Sequence, residues 1–204
     1  AIREDVLASA EACADFGIPT VVIHSWSGID YSFREENLCF RHFDDLVDLA
    51  CRRGISVAFE NLEGPEFLAA LMARYANCKT VGFCWDTGHE MCYNHHRDLI
   101  ADFGDRLFGT HLNDNLGVKA PAGSITFHDD LHLLPYDGIA DWEGVMHRIR
   151  KANYTGVLTC ESVHIVAEVD NRMCEQGMPR FVMAYIDIRL GRFICSSGAW
   201  NITD

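Results

Sequence analysis

The stretch Gly82-Phe83-Cys84-Trp85-Asp86-Thr87-Gly88-His89 decides how the rest of the chain is read. The apolar run over residues 80–85 predicts a buried strand. It stops on a carboxylate, followed by a glycine suited to a turn and a histidine three residues on. The same arrangement recurs on either side. Thr20-Val21-Val22-Ile23 is a β-branched run that ends in His24, and residues 55–59 form one that ends in Glu60. Residues 107–110 lead to His111 and residues 156–160 to Glu161. Five predicted strands therefore finish, in succession, on metal-ligand residue types.

Helical patterns separate them. Residues 3–16 place Val6, Ala10, Cys13 and Ala14 on one face before Gly17, and residues 34–53 bury Phe43, Leu46, Val47 and Ala50 before Gly54. Pro65 opens a helix with the stripe Phe67, Leu68, Leu71, Met72 and Tyr75. Further helices are predicted over 96–103, over 142–152 with Asp141 as N-cap, and from Pro179 to about Leu190. A sixth strand is expected near 162–169. A loop rich in Gly, Pro and Asp joins 113 to 141, and no linker divides the chain.

Strands alternating with helices imply parallel pairing and a sheet covered on both faces. In an open sheet of sequential order the first and fifth strands would lie roughly 19 Å apart, too far for their end residues to share a site. Closure aims every strand end at one axis, which is the C-terminal face of a TIM-type (β/α) barrel. Such a barrel takes about 250 residues. The chain has 204 and opens within a helix. The expectation is a single barrel domain over 1–204 that lacks its N-terminal one or two βα units.

Composition sets the outer limits. Hydrophobic residues make up 49% and charged residues 23%, which excludes disordered and fibrous classes. Thirty Asp and Glu against 17 Lys and Arg give a net charge of −13, adverse to binding that runs on phosphate neutralisation. No apolar run approaches the ~20 residues of a membrane helix, and no basic-then-apolar signal opens the chain. The nine cysteines include no CxxC pair, and several sit in apolar runs. They read as reduced thiols of a cytoplasmic protein, which makes the Asn201-Ile202-Thr203 sequon a chance match.

Glu60, Asp86, His111 and Glu161 stand at four consecutive strand ends. As mere caps, three carboxylates and an imidazole would repel one another and desolvate at large cost unless a cation compensated them.

In combination, Glu60-Asn61, Asp86-Thr87-Gly88-His89, His111-Leu112-Asn113-Asp114-Asn115, Asp130-Leu131-His132-x-x-Pro135-x-x-Gly138-x-x-Asp141-Trp142 and Glu161 resemble the xylose isomerase-like TIM barrels. These are the sugar phosphate isomerases and epimerases together with the endonuclease IV-type apurinic-site nucleases. The resemblance runs from about His24 to Glu161. It implies divalent metal held by Glu60, Asp86, His111 and Glu161, and a role for His89 in contacting substrate or a second metal. It further implies a sugar or sugar phosphate isomerase or epimerase that transfers a proton through a metal-stabilised enediolate, with Glu60 and Glu161 as the acid/base pair. Three carboxylates and one imidazole suit Mn²⁺ or Mg²⁺ first, then Zn²⁺ or Co²⁺. The expected partner is a small-molecule sugar, with no nucleic acid and no membrane, and with homo-oligomerisation left open.

Two other activities sit on the same scaffold. In the nucleases an Asp-x-His matching Asp130 and His132, with residues matching His24 and His89, holds further zinc. All of those positions are filled here, but the charge of −13 opposes a DNA cradle. A metal-dependent sugar or inositol dehydratase is the other. One departure concerns substrate: ketohexose epimerases of the family carry an Arg where Gly117 stands. Glu66 reads as a helix-start carboxylate and His95-His96 as an exposed helix start. His42, His128, His147 and His164 have no motif context. Trp26 could wall a sugar pocket, whereas Trp142 reads as core.

Overall fold

The computed structural model describes residues 2–24, 40–62, 64–94, 97–119 and 128–161, together with the backbone of residues 182–187 and 192–195. Helix α1 (Ile2–Asp15) precedes strand β1 (Thr20–His24). The chain then runs through α2 (Phe40–Arg53), β2 (Ser56–Glu60), α3 (Pro65–Arg74), β3 (Val81–Asp86), α4 (Thr87–Cys92) and α5 (Leu99–Phe103). After β4 (Leu107–His111) come α6 (Trp142–Lys151), β5 (Thr159–Cys160), β6 (Val182–Asp187) and β7 (Arg192–Cys195).

β1 to β4 pair in sequential order and in parallel. Register sets the site. His24 lies beside Glu60, and Asp86 beside His111, so the ligand-type residues form a row along one end of the sheet. A parallel bridge from Leu112 to Cys160 brings β5 alongside β4 and delivers Glu161 to the same end.

β3 is buried at every residue, the pattern of a strand covered on both faces. Val57, Phe59, Phe67, Leu68, Leu71, Val81, Phe83 and Leu112 lose all contact with solvent between sheet and helices. Each such side chain contributes about 1.5–3 kcal/mol. Trp142 is core, 3% exposed, at the start of α6. Asp141 caps that helix by accepting from Gly144 N–H, and Asp98 caps α5 by accepting from Ala101 N–H. Pro65 occupies the first turn of α3 with Glu66 exposed beside it, the helix-start arrangement expected of both.

Several elements differ from expectation: α4 and β7 have no predicted counterpart, and β5 covers only Thr159–Cys160 of the strand expected over 156–160. The segment after Pro179 is not helical over Val182–Asp187. It is strand β6, parallel to β5 and antiparallel to β7. The run Val-Met-Ala-Tyr-Ile-Asp carries β-formers, and pairing with β5 satisfies its backbone, which overrides the helical spacing. α5 starts at Leu99 rather than at residue 96, because the Asp98 cap fixes its first turn. The strand expected near 162–169, Trp26, His95, His96 and His164 lie outside the described residues. No helix of the described residues is long and apolar enough to cross a membrane.

Candidate metal centre

Glu60 ends β2, Asp86 ends β3, His111 ends β4, and Glu161 follows β5. One ligand atom from each lies within 4.8 Å of all the others. His111 Nδ1 is 3.1 Å from Glu60 Oε2 and 2.8 Å from Glu161 Oε2. Despite these separations, His111 Nδ1 and the buried Glu60 Oε1 form no hydrogen bond. Buried polar atoms are nearly always paired, and an acceptor left unpaired costs about 1–3 kcal/mol. Lone pairs converging on one point fit a cation there. The donor set, three carboxylates and an imidazole, is that of a hard or borderline divalent ion.

Asp86 is the most constrained of the four. Its Oδ1 accepts the His89 N–H at 2.6 Å and so caps α4, and its Oδ2 accepts from Asn113 Nδ2 at 2.8 Å. Asn61 brackets the same residue, accepting from its N–H at 2.7 Å and donating to its carbonyl at 2.9 Å. Gly88 is required by close approach rather than by a turn. A Cβ there would overlap Asn113 Oδ1 and Asn115 Nδ2, and the Asn113 amide is the one that holds Asp86.

His89 is 4% exposed. Its Nδ1 lies 2.8 Å from the Asn61 carbonyl, which can only accept, so that nitrogen carries a proton. Its Nε2 lies 3.1 Å from Asp130 Oδ2. Asp130 also accepts from Tyr93 Oη at 3.2 Å, and its buried Oδ1 faces His132 Nδ1 at 3.3 Å without a hydrogen bond. Asp86, His89 and His132 form a second group able to hold an ion. His132 adopts φ 48°, a left-handed conformation uncommon outside glycine and found at constrained sites. His24 stands at the rim, half exposed, with Nε2 3.7 Å from Glu60 Oε2.

Electrostatics follow from burial. Complete burial, with the charges of Glu60 and Glu161 added, pushes the Asp86 carboxyl up to about 7. Burial opposes ionisation of Glu60 and Glu161 as well. The His111 and His89 rings outweigh it at Glu60, and His111 does so at Glu161, so both carboxyls stay below the usual range. His89 and His111 are disfavoured as cations by burial, but the surrounding acids, with Cys84 beside His111, hold both well above an ordinary histidine. Without a metal, protons supply the positive charge that the cluster requires.

Residues 1–173 match the family described as xylose isomerase-like TIM barrel. The chain belongs to that family. Among relatives, the uncharacterized protein y4fM of Sinorhizobium fredii is 34% identical over 166 residues, covering 74% of this chain and 50% of its own length. The chain thus spans about half the length of that relative. Among solved structures, a D-tagatose 3-epimerase-like protein superposes with TM-score 0.67 at 20% identity, over 85% of this chain and 67% of that one. A zinc-bound IolI protein gives 0.61 at 20% identity, over 81% of this chain and 61% of its own. A 3-keto-D-glucoside 4-epimerase from E. coli gives 0.61 at 17% identity, over 85% of this chain and 67% of its own. Residues 145–204 also match the Phage Mu Gp11 C-terminal domain. The uncharacterized protein gp11 of Escherichia phage Mu is 96% identical over 50 residues, 24% of this chain and 28% of its own length. The antiparallel β6–β7 pair falls wholly within the part matched by that second family and not by the first.

Every site residue expected in this xylose isomerase-like chain falls at one end of the sheet. Asn61, Asn113, Asp114 and Asn115 stand in the sequence motifs with no role evident from residue type alone. Asn61 and Asn113 hold Asp86. Asp114 is fully buried and accepts from Asn115 N–H at 2.8 Å, Tyr136 N–H at 3.2 Å, Ala140 N–H at 2.9 Å and Trp142 Nε1 at 2.9 Å. Asn115 Oδ1 accepts from Leu131 N–H. Together they fasten the loop that carries Asp130 and His132.

Proposed function

We propose that the protein is a divalent-metal-dependent sugar isomerase or epimerase. The observation that carries this reading is the convergence of Glu60, Asp86, His111 and Glu161 within 4.8 Å, with Glu60 Oε1 and His111 Nδ1 lacking a well-aligned hydrogen bond. When bound, a divalent cation supplies Lewis-acid polarisation of a sugar carbonyl and its neighbouring hydroxyl. Glu60 and Glu161 then move the proton at the carbon next to the carbonyl. A bound cation would keep both ionised and so able to accept it. Glu60 has a side chain 2% exposed and Glu161 one 45% exposed, so the pair offers one sheltered and one open carboxylate. Asp86, oriented by Asn61 and Asn113, serves as ligand and not as proton carrier. Epimerase neighbours on the same fold support the reading.

Incubation with metal and a panel of ketoses, free and phosphorylated, in deuterium oxide tests it. Label entering the sugar next to the carbonyl, with formation of an isomer or epimer, is expected. Metal-replete protein that labels no sugar in the panel overturns it.

The Asp86–His89–His132 group favours a second reading, phosphodiester cleavage at apurinic sites with further ions. The charge of −13 opposes it. Cleavage of an abasic duplex at catalytic protein concentration would reverse the ranking.

A further inference from the structure

A pair of thiols lies far from the metal centre. Cys51 is exposed in the last turn of α2, and Cys78 is half-buried in the turn between α3 and β3. Their sulfurs share one hydroxyl, with Cys51 Sγ 3.1 Å and Cys78 Sγ 3.2 Å from Thr80 Oγ1. Contact with one oxygen atom places the two sulfurs near each other. Below the turn, the Arg106 guanidinium donates to the carbonyls of Met72 and Tyr75, each at 3.0 Å, and of Val81 at 2.8 Å. A cation is thereby fixed against the turn that carries Cys78, whose N–H shares the Tyr75 carbonyl with Arg106. Thr80 precedes β3, whereas Asp86 ends it, so the length of that strand, about 20 Å, separates the pair from the metal ligands.

We propose that Cys51 and Cys78 are a peroxide-reactive dithiol that closes to a disulfide, with Cys78 as the attacking sulfur and Cys51 as the resolving one. Burial opposes the Cys78 thiolate. The Thr80 hydroxyl and backbone, the Cys51 thiol and the Arg106 charge outweigh that and lower its pKa. The Cys78 thiolate attacks one oxygen of a hydroperoxide; the O–O bond breaks, an S–O bond forms, and the departing oxygen leaves as water or alcohol after taking a proton. The Cys51 thiolate then attacks Cys78 sulfur. The S–S bond forms, the S–O bond breaks, and the hydroxide released takes a proton to leave as water. Two thiols are oxidised by two electrons, and one hydroperoxide is reduced. The product would tie the end of α2 to the turn before β3. Cys84, Cys92 and Cys160 are buried, with their thiols pushed up to about 11, 12 and 12 by burial, and lack this activation.

The test uses the whole chain and hydrogen peroxide at a few equivalents, followed by non-reducing tryptic mass spectrometry. Cleavage yields peptides 42–52, with Cys51, and 75–79, with Cys78. A linked pair of these peptides is expected, reversed by dithiothreitol, with loss of two free thiols. Cys51→Ser should instead accumulate a sulfenic acid on Cys78 that dimedone traps. Thr80→Val, which keeps both thiols, should slow closure about tenfold by removing a hydrogen bond to the thiolate. Peptides that remain unlinked while other cysteines oxidise, or Cys51 oxidising as fast in Cys78→Ser as in the unaltered chain, overturn the proposal.

Discussion

His111 Nδ1 lies 2.8 Å from Glu161 Oε2 without a well-aligned hydrogen bond between them. Two polar atoms that close are repelled unless a proton or a metal stands where their lone pairs meet. A divalent ion should therefore stabilise the fold by linkage, by about 2.7 kcal/mol at a hundredfold excess over its Kd. Thermal melts of chelator-treated protein with added Mn²⁺, Mg²⁺, Co²⁺ and Zn²⁺ measure this. His111→Ala should abolish most of the increment. An unchanged melting temperature with all four ions would remove the metal centre from the account.

Asp114 collects four N–H donors in a site without solvent. Asp114→Ala leaves those donors unpaired and should cost on the order of 3 kcal/mol in urea unfolding. Asp114→Asn keeps one acceptor oxygen and should cost less. Because Asp114 and Asn115 fasten the loop holding Asp130 and His132, the alanine variant should also expose residues 128–141 to protease. A loss under about 0.5 kcal/mol would show that the loop is held by other contacts.

Asp44 gives a pH-dependent case away from the metal ligands. Arg74 grips it through Nε at 2.9 Å and Nη2 at 2.5 Å, and Tyr75 Oη donates at 2.7 Å. The Arg74 hydrogen bonds, against a small burial effect and helped by Tyr75, hold its carboxyl below the ordinary 3.8. A carboxyl depressed in the folded state contributes stability that is present above 3.8 and is lost as pH falls below it through the folded value. Asp44→Asn should thus shrink the acid-side loss of stability while lowering stability at neutral pH. The site is largely exposed, so the effect should be below about 1 kcal/mol. Parallel urea series at neutral and acid pH would show it, and identical slopes for both proteins would refute it.

The strand ends were legible because residue type and strand period coincide there. Glu60, Asp86, His111 and Glu161 each follow an apolar run that a buried parallel strand requires. The supporting shell was not. Asn61 meets Asp86 from 25 positions away and Asp114 meets Trp142 from 28, and no local pattern encodes such pairings. Gly88 looked like a turn residue and is instead a space left for Asn113. Val182–Asp187 was misread because Pro179 and apolar spacing suggest a helix, whereas the free edge of β5 selects a strand.

The roles proposed for the two glutamates can be separated by following the proton. Glu60→Gln and Glu161→Gln each keep an oxygen near the metal but remove a proton acceptor, so turnover should fall far more than substrate binding, by a factor of about 10² or more. Asp86→Asn should lose metal affinity first, since no proton is assigned to it. Solvent deuterium entering a bound sugar next to its carbonyl tells the two glutamates apart. Removing the residue that abstracts the proton should stop both exchange and product. Removing the one that returns it should permit exchange while product formation stops. Glu60, sheltered and flanked by two imidazoles, differs enough in surroundings from the half-exposed Glu161 for the two variants to diverge in this assay. If both exchange and turn over near the rate of the unaltered chain, proton transfer belongs to another group, and His89 and His132 are the nearest able to carry it.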